Sequence, residues 1–267
     1  MYQQPAVFTR VAAVLALSLV GCVVGEADPG VEGDDDGSPQ PSDPGPGPGA
    51  NPSPTPKVEV TADRTAISTE LATSNAVTLT LKPSGGFTGT ATLTASATDS
   101  TGAPVTAWNL TLDKPTIELT AGTNATAVVT LKVPSSVNVL AGTVKIDATT
   151  SLGTITTQAT VTVAKQITYA MKLNGAKCIY PVAANSQTTI SQGTKVRWVN
   201  QDTANRIIIH IGAVGGKAIT GFDHEPDPGM APNGGVFEQT AQSTTGAIDW
   251  YCHNRDNSQG IQLKAAP

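Results

Sequence analysis

Five side chains in the C-terminal hundred residues carry most of the chemistry this sequence could perform: Cys178, His210, His224, Cys252 and His253. All three histidines of the chain and two of its three cysteines fall after residue 166. Thiolate sulfur and imidazole nitrogen are donors for transition metals, so some set of these residues is a candidate metal site. In an oxidising compartment Cys178 and Cys252 can instead pair, and a bonded sulfur is no longer a thiolate ligand. Bridging needs Cα atoms within about 7 Å, which sequence spacing does not decide, so both readings stand.

Enzymatic readings find less support. A Ser or Cys nucleophile needs a base held by a third group. Asp249, Cys252 and His253 are close in sequence, but a strand scatters such neighbours over two faces and no nucleophile motif surrounds them. The glycines of Gly212-Ala213-Val214-Gly215-Gly216 are not followed by a helix signal, so they read as a loop and not as a phosphate cradle. Asp223, Glu225 and Asp227 read as a solvated loop. The expectation is a protein that is not an enzyme.

The elements that must position these residues are strands. Ile167-Thr168-Tyr169-Ala170-Met171-Lys172-Leu173 opens the segment, and a Pro-bearing loop follows at Tyr180-Pro181. Next comes a Gly turn and a strand with Val196, Trp198 and Asn200 on one face, which together suggest the edge of a β-sandwich. Further strands are expected at 206–211, 236–240, 248–252 and 260–264. If Ile207, Ile209 and Ile211 face a core, His210 faces outward, and Cys252 and His253 point to opposite sides.

Three stretches of this segment resemble the cupredoxins, the blue-copper family, in the family's order. They are Gly193-Thr194-Lys195-Val196-Arg197-Trp198-Val199-Asn200-Gln201-Asp202, Met230-Ala231-Pro232-Asn233-Gly234-Gly235-Val236-Phe237 and Asp249-Trp250-Tyr251-Cys252-His253. The resemblance implies a cupredoxin-like Greek-key sandwich over 166–267, with copper as cofactor and single-electron transfer to a redox protein partner as function. It implies a type 1 site of one Cys, two His and a weak axial ligand, in which Cys252 matches the Cys. The pattern departs elsewhere: Asn205 falls at the first His position, Arg255 at the second, and Ser258 near the axial Met. A guanidinium cannot ligate. Cys252, His253, His210 and His224 are therefore the metal candidates, by a shifted register. The alternative is a metal-free scaffold for surface binding or adhesion, with Cys178 and Cys252 bonded.

Residues 57–165 contain neither His nor Cys. Short runs of period two, such as Val77-Thr78-Leu79-Thr80-Leu81 and Val128-Val129-Thr130-Leu131-Lys132-Val133, are separated by Gly, Pro, Asn and Ser clusters. That pattern predicts an antiparallel sandwich of about seven strands. The stretch Gly85-Gly86-Phe87-Thr88-Gly89-Thr90-Ala91-Thr92-Leu93, with Leu140-Ala141-Gly142-Thr143 later, resembles the immunoglobulin-like modules of bacterial surface proteins. Trp108 is expected in core or turn packing.

The N-terminal end reads as an address. Arg10 precedes an apolar run from Val11 to Val20, too short to span a bilayer, where about 20 residues are needed. With Leu19-Val20-Gly21-Cys22 it reads as a signal peptide, 1–21, ending in a sequence that resembles a bacterial lipobox. Cys22 would then be acylated and tie the protein to a membrane, in the cell envelope, facing periplasm or exterior. Residues 22–56 read as a disordered tether: nearly half of Val23 to Pro56 is Pro or Gly. At about 3.1 Å per residue its reach is on the order of 100 Å.

The tether also explains the net charge of −5. It holds seven acids (Glu26, Asp28, Glu32, Asp34, Asp35, Asp36 and Asp43) and no Lys or Arg. From Lys57 onward 15 basic residues face 14 acidic ones, because Arg10 is the one cation before it. A near-neutral body without basic clusters argues against a nucleic-acid partner. The whole is expected to be all-β: two β-sandwiches, immunoglobulin-like and then cupredoxin-like, behind a lipidated tether.

Overall fold

The computed structural model describes residues 53–183, 186–211, 228–244, 246–253 and 260–267. Cys22, His224, Arg255, Ser258 and the glycine stretch 212–216 lie outside the described residues. Among those described the chain is all-β, with seventeen strands and no helix.

The first nine strands are β1 (Lys57–Ala62), β2 (Ala66–Glu70), β3 (Ser74–Ser84), β4 (Gly89–Asp99), β5 (Asn109–Leu112), β6 (Thr116–Leu119), β7 (Ala125–Lys132), β8 (Ala141–Thr150) and β9 (Gly153–Ala164). They form two sheets, ordered β1-β3-β7-β5 and β2-β9-β8-β4-β6. Period-two alternation sends Val77, Leu79 and Leu81 of β3 into the space between the sheets, together with Val144, Ile146 and Ala148 of β8. Thr-bearing positions between them face away. Trp108 is buried in this core.

This is an immunoglobulin-like sandwich. It has nine strands where the alternation suggested seven, because two segments change sheets part-way. After β1, which pairs with β3, the chain breaks at Asp63-Arg64-Thr65, and β2 then pairs in parallel with β9. The break is held by Asp63, whose carboxylate accepts from the Thr78 N–H at 3.0 Å while its own N–H donates to the Thr78 carbonyl at 2.9 Å. A second break, Asp113-Lys114-Pro115, divides β5 on one sheet from β6 on the other. Proline has no N–H for a ladder, and the Asp113 carboxylate accepts from Val128 N–H at 2.7 Å instead.

The remaining strands are β10 (Gln166–Asn174), β11 (Lys177–Ile179), β12 (Gln187–Ser191), β13 (Lys195–Asn200), β14 (Ile209–Ile211), β15 (Gly235–Thr240), β16 (Ile248–Cys252) and β17 (Ile261–Ala266). Their sheets are ordered β11-β10-β13-β15 and β12-β17-β16-β14, with β10 parallel to β13 and β12 parallel to β17. Val196, Trp198 and Asn200 do share a buried face. Their strand, however, is internal and not an edge, because β13 is flanked on both sides by β10 and β15. The strand expected over 206–211 is also shorter. Ile207 exchanges both backbone hydrogen bonds with Met230, so regular pairing with β16 begins only at Ile209.

The two cores are separate clusters, one ending at Val163 and the other beginning at Ile167. Both lie in one compact unit, Pro52–Pro267. Only Lys165 stands between β9 and β10. The joint is hydrogen-bonded through Glu70, whose carboxylate accepts from Gln166 Nε2 at 2.6 Å and Thr168 Oγ1 at 2.7 Å. Ser135 Oγ donates to the Thr189 carbonyl at 2.6 Å across the same boundary.

Candidate functional site

The site grows out of the alternation of β16. Ile248, Trp250 and Cys252 point inward, and Asp249 and Tyr251 point outward. Trp250 meets Trp198 of the opposite sheet with ring centroids 4.9 Å apart, and Trp198 stacks on Tyr169 at 4.8 Å. This aromatic stack fills the centre of the sandwich and fixes the depth at which Cys252 enters it. Burial pushes the Tyr169 phenol up to about 12, with the nearby Thr188 exerting a smaller opposing effect.

Cys252 meets Cys178 there. The two sulfurs are joined in a disulfide, with Cα atoms 6.3 Å apart and a sequence separation of 74. Since β11 and β16 belong to different sheets, the bond staples one layer to the other. The Tyr180 hydroxyl donates to Cys252 Sγ at 3.5 Å, and burial raises this phenol well above the ordinary tyrosine range, which keeps its proton in place.

The pairing corrects the expectation of Cys252 as a copper ligand. A disulfide sulfur has no thiolate to offer, so the soft donor of a type 1 site is gone. Asp249 is likewise no partner for Cys252: it faces outward and accepts from Gln262 Nε2 at 2.8 Å. Cys252, His253 and Asp249 therefore form no catalytic trio.

Asn205, which the cupredoxin resemblance would set at its first-imidazole position, belongs to a loop held by amides and carboxylates. Asn200 is fully buried, and its Nδ2 donates to the carbonyls of Asn205 at 2.8 Å and Met230 at 3.0 Å. Asp202 Oδ1 accepts from the N–H groups of Ala204 at 2.9 Å and Asn205 at 2.7 Å. Those two backbone donors lead in lowering the Asp202 carboxyl to about 2, with Asn205 Nδ2 and Leu173 N–H adding smaller effects against burial. The turn at Asn233 and Gly234 docks on this loop through Asn233 N–H to the Asp202 carbonyl at 2.8 Å and Gly234 N–H to the Asn200 carbonyl at 2.7 Å. Gly229 allows a separate close approach, to Ile207 and Ile208. At φ +77° it sits where an added Cβ would lie 2.4 Å from Ile208 Cγ1 and 2.8 Å from the Ile207 carbonyl.

The histidines divide. His224 lies outside the described residues, while His210 and His253 come together. The register pairs Ile209 with Cys252 and His210 with Tyr251, and His253 N–H donates to the Ile208 carbonyl at 2.9 Å. Ile209 and Cys252 thus face the core, and the two histidines share the opposite face as diagonal neighbours. Nδ1 of His253 contacts Nε2 of His210, with ring centroids 3.8 Å apart and planes at 71°. Alternation alone turned each residue outward. Their meeting depends on the register between β14 and β16, which local pattern does not contain. Among the described residues, no group of three or more His, Cys, Asp or Glu side chains converges.

No protein-family model matches the chain, and no curated protein matches it. Solved structures with fold likeness include domains 4 and 5 of the S-layer protein SbsC, at 20% identity over 41% of this chain and 53% of that one, with a TM-score of 0.28. The chain thus spans about half of that S-layer fragment. The FixG-related protein from Vibrio parahaemolyticus is 16% identical over 40% of this chain and 95% of its own, with a TM-score of 0.30. The BIgI domain of the beta protein from S. agalactiae, bound to CEACAM1, is 18% identical over 40% and 96%, with a TM-score of 0.25.

Proposed function

We propose that this chain is a lipid-anchored cell-envelope protein whose C-terminal module is a cupredoxin-like scaffold used for binding at the cell surface, and neither an electron carrier nor an enzyme. The observation that carries the reading is the Cys178–Cys252 disulfide. It places the one sulfur that the cupredoxin pattern assigns to copper in a structural bond between two sheets. The residues present do not fit a type 1 copper centre: Cys252 is bonded, and Asn205 is an amide whose backbone and side chain serve the 201–205 loop. Without that centre, the fold offers a rigid, stapled sandwich. On this reading the acidic tether and the immunoglobulin-like module act as spacers, with Cys22 as the lipid attachment, and no redox partner is required.

The test is a copper(II) titration of the oxidised full-length chain followed by visible absorption. No intense thiolate-to-copper band is expected, and reduction of the disulfide should be needed before any such band develops. An intense band in the unreduced protein would contradict the scaffold reading.

A further inference from the structure

β15 ends its sheet. It pairs with β13 over its whole length, and among the described residues no strand pairs with its far side. Just beyond the paired residues the Ala241 N–H donates to the Thr194 carbonyl at 2.8 Å. Antiparallel bonding alternates, so Val236, Glu238 and Thr240 turn their N–H and C=O groups to the open side. The side chains of the same three residues are exposed on the outer face. Register sets them in rows, Ala170 beside Val199 and Val236, and Thr168 beside Arg197 and Glu238. Val236 is 41% exposed. The Glu238 carboxylate is drawn back toward β13, with Arg197 Nε at 3.1 Å and Lys195 Nζ at 3.3 Å. Sheet edges are normally blunted by short length, Lys, Pro or a bulge. Among the described edge strands only β1 and β15 reach six residues, and β1 begins with Lys57. β15 holds neither Lys nor Pro and pairs without a bulge.

We infer, resting on the surface-binding reading above, that β15 is a docking edge for an extended segment of a partner protein, which joins the sheet as an antiparallel strand. Its backbone bonds to the outward groups of Val236, Glu238 and Thr240. The rows specify its side chains. A β-branched apolar residue opposite Val236 continues the apolar row, and a Lys or Arg two residues earlier falls opposite Glu238, where opposite charge is favourable. A second copy of β15 fits poorly. The two-fold register that uses all three outward residues sets Val236 against Thr240 and Glu238 against the same glutamate of the copy, and like charges directly opposite are destabilising.

The probe is a short capped peptide of Thr residues carrying one Val and, two residues before it, one Lys; a control has Glu in place of the Lys. Each is titrated into isotope-labelled, oxidised full-length chain and followed by amide chemical shifts. The Lys peptide should shift the amides of Val236, Glu238 and Thr240. The Glu peptide should bind about two- to fivefold more weakly, the range a cross-strand charge pair allows. Thr240→Pro removes an outward N–H and no bond to β13, so it should weaken the Lys peptide by about two- to tenfold, the worth of one hydrogen bond. Glu238→Lys should reverse the preference between the two peptides. Thermal unfolding identifies the variants that fold; if Thr240→Pro unfolds, the reversal in Glu238→Lys decides. No shifts, shifts away from β15, or equal affinity for both peptides in wild type and Glu238→Lys would overturn the docking edge. Dimerisation through β15 would overturn it too, by making a second copy the occupant. Each of these results leaves the disulfide and the copper titration unchanged, so loss of the edge is distinct from loss of the scaffold reading.

Discussion

Asn205 and Asp202 show how one short loop is held by its own amides and carboxylate. The Asp202 carboxylate is lowered to about 2 from 3.8, first by the Ala204 N–H and then by the Asn205 N–H. A depressed carboxyl contributes stability that is fully present above its unfolded value and lost as pH falls through its folded value. The stability gap between the wild-type chain and Asp202→Asn should therefore stay constant from neutral pH to about 4 and close as pH approaches about 2. Urea unfolding across that range measures it, and a gap that does not change with pH would remove the assigned role. Both stretches of this loop stood out in sequence, Gly193 to Asp202 and Met230 to Phe237, as carriers of the resemblance. Their docking did not, because it runs through backbone carbonyls 30 residues apart, as in the Asn200 Nδ2 bond to Met230.

At the scale of elements, the alternation of β16 is the clearest link between sequence and site. Trp250 and Cys252 on one face, with Tyr251 and His253 on the other, follow from period two alone. What alternation lacks is register and sheet assignment, so it left Cys252 open to either a thiolate or a disulfide role. It also left His210 and His253 unconnected. The same limit explains why nine strands stand where about seven were expected: the short strands β2, β5 and β6, each five residues or fewer, arise where the chain crosses between sheets at Asp63-Arg64-Thr65 and at Asp113-Lys114-Pro115. The staple between β11 and β16 closes a 74-residue separation, so loop-closure entropy puts its contribution at about 4 kcal/mol. Replacing both partners, Cys178→Ser with Cys252→Ser, should lower unfolding free energy by roughly that amount, with added cost from buried hydroxyls. Chemical denaturation checks this, and an unchanged midpoint would mean that the sandwich does not depend on its staple.

For the molecule as a whole, two cores meet across one residue, Lys165, and Glu70 ties the ends of β2 and β10 together. Composition shows that all His and the two paired Cys fall on one side of residue 166 and that the excess acid falls before Lys57. It could not reveal that the second module's only two cysteines are used up in holding its sheets together. Peptide mapping by mass spectrometry under non-reducing conditions, with free thiols alkylated before digestion, tests that central claim most directly. The account predicts a cross-linked peptide pair containing Cys178 and Cys252 and no alkylation at either. Alkylated Cys178 and Cys252 in the native protein would contradict it and return Cys252 to the copper ligands.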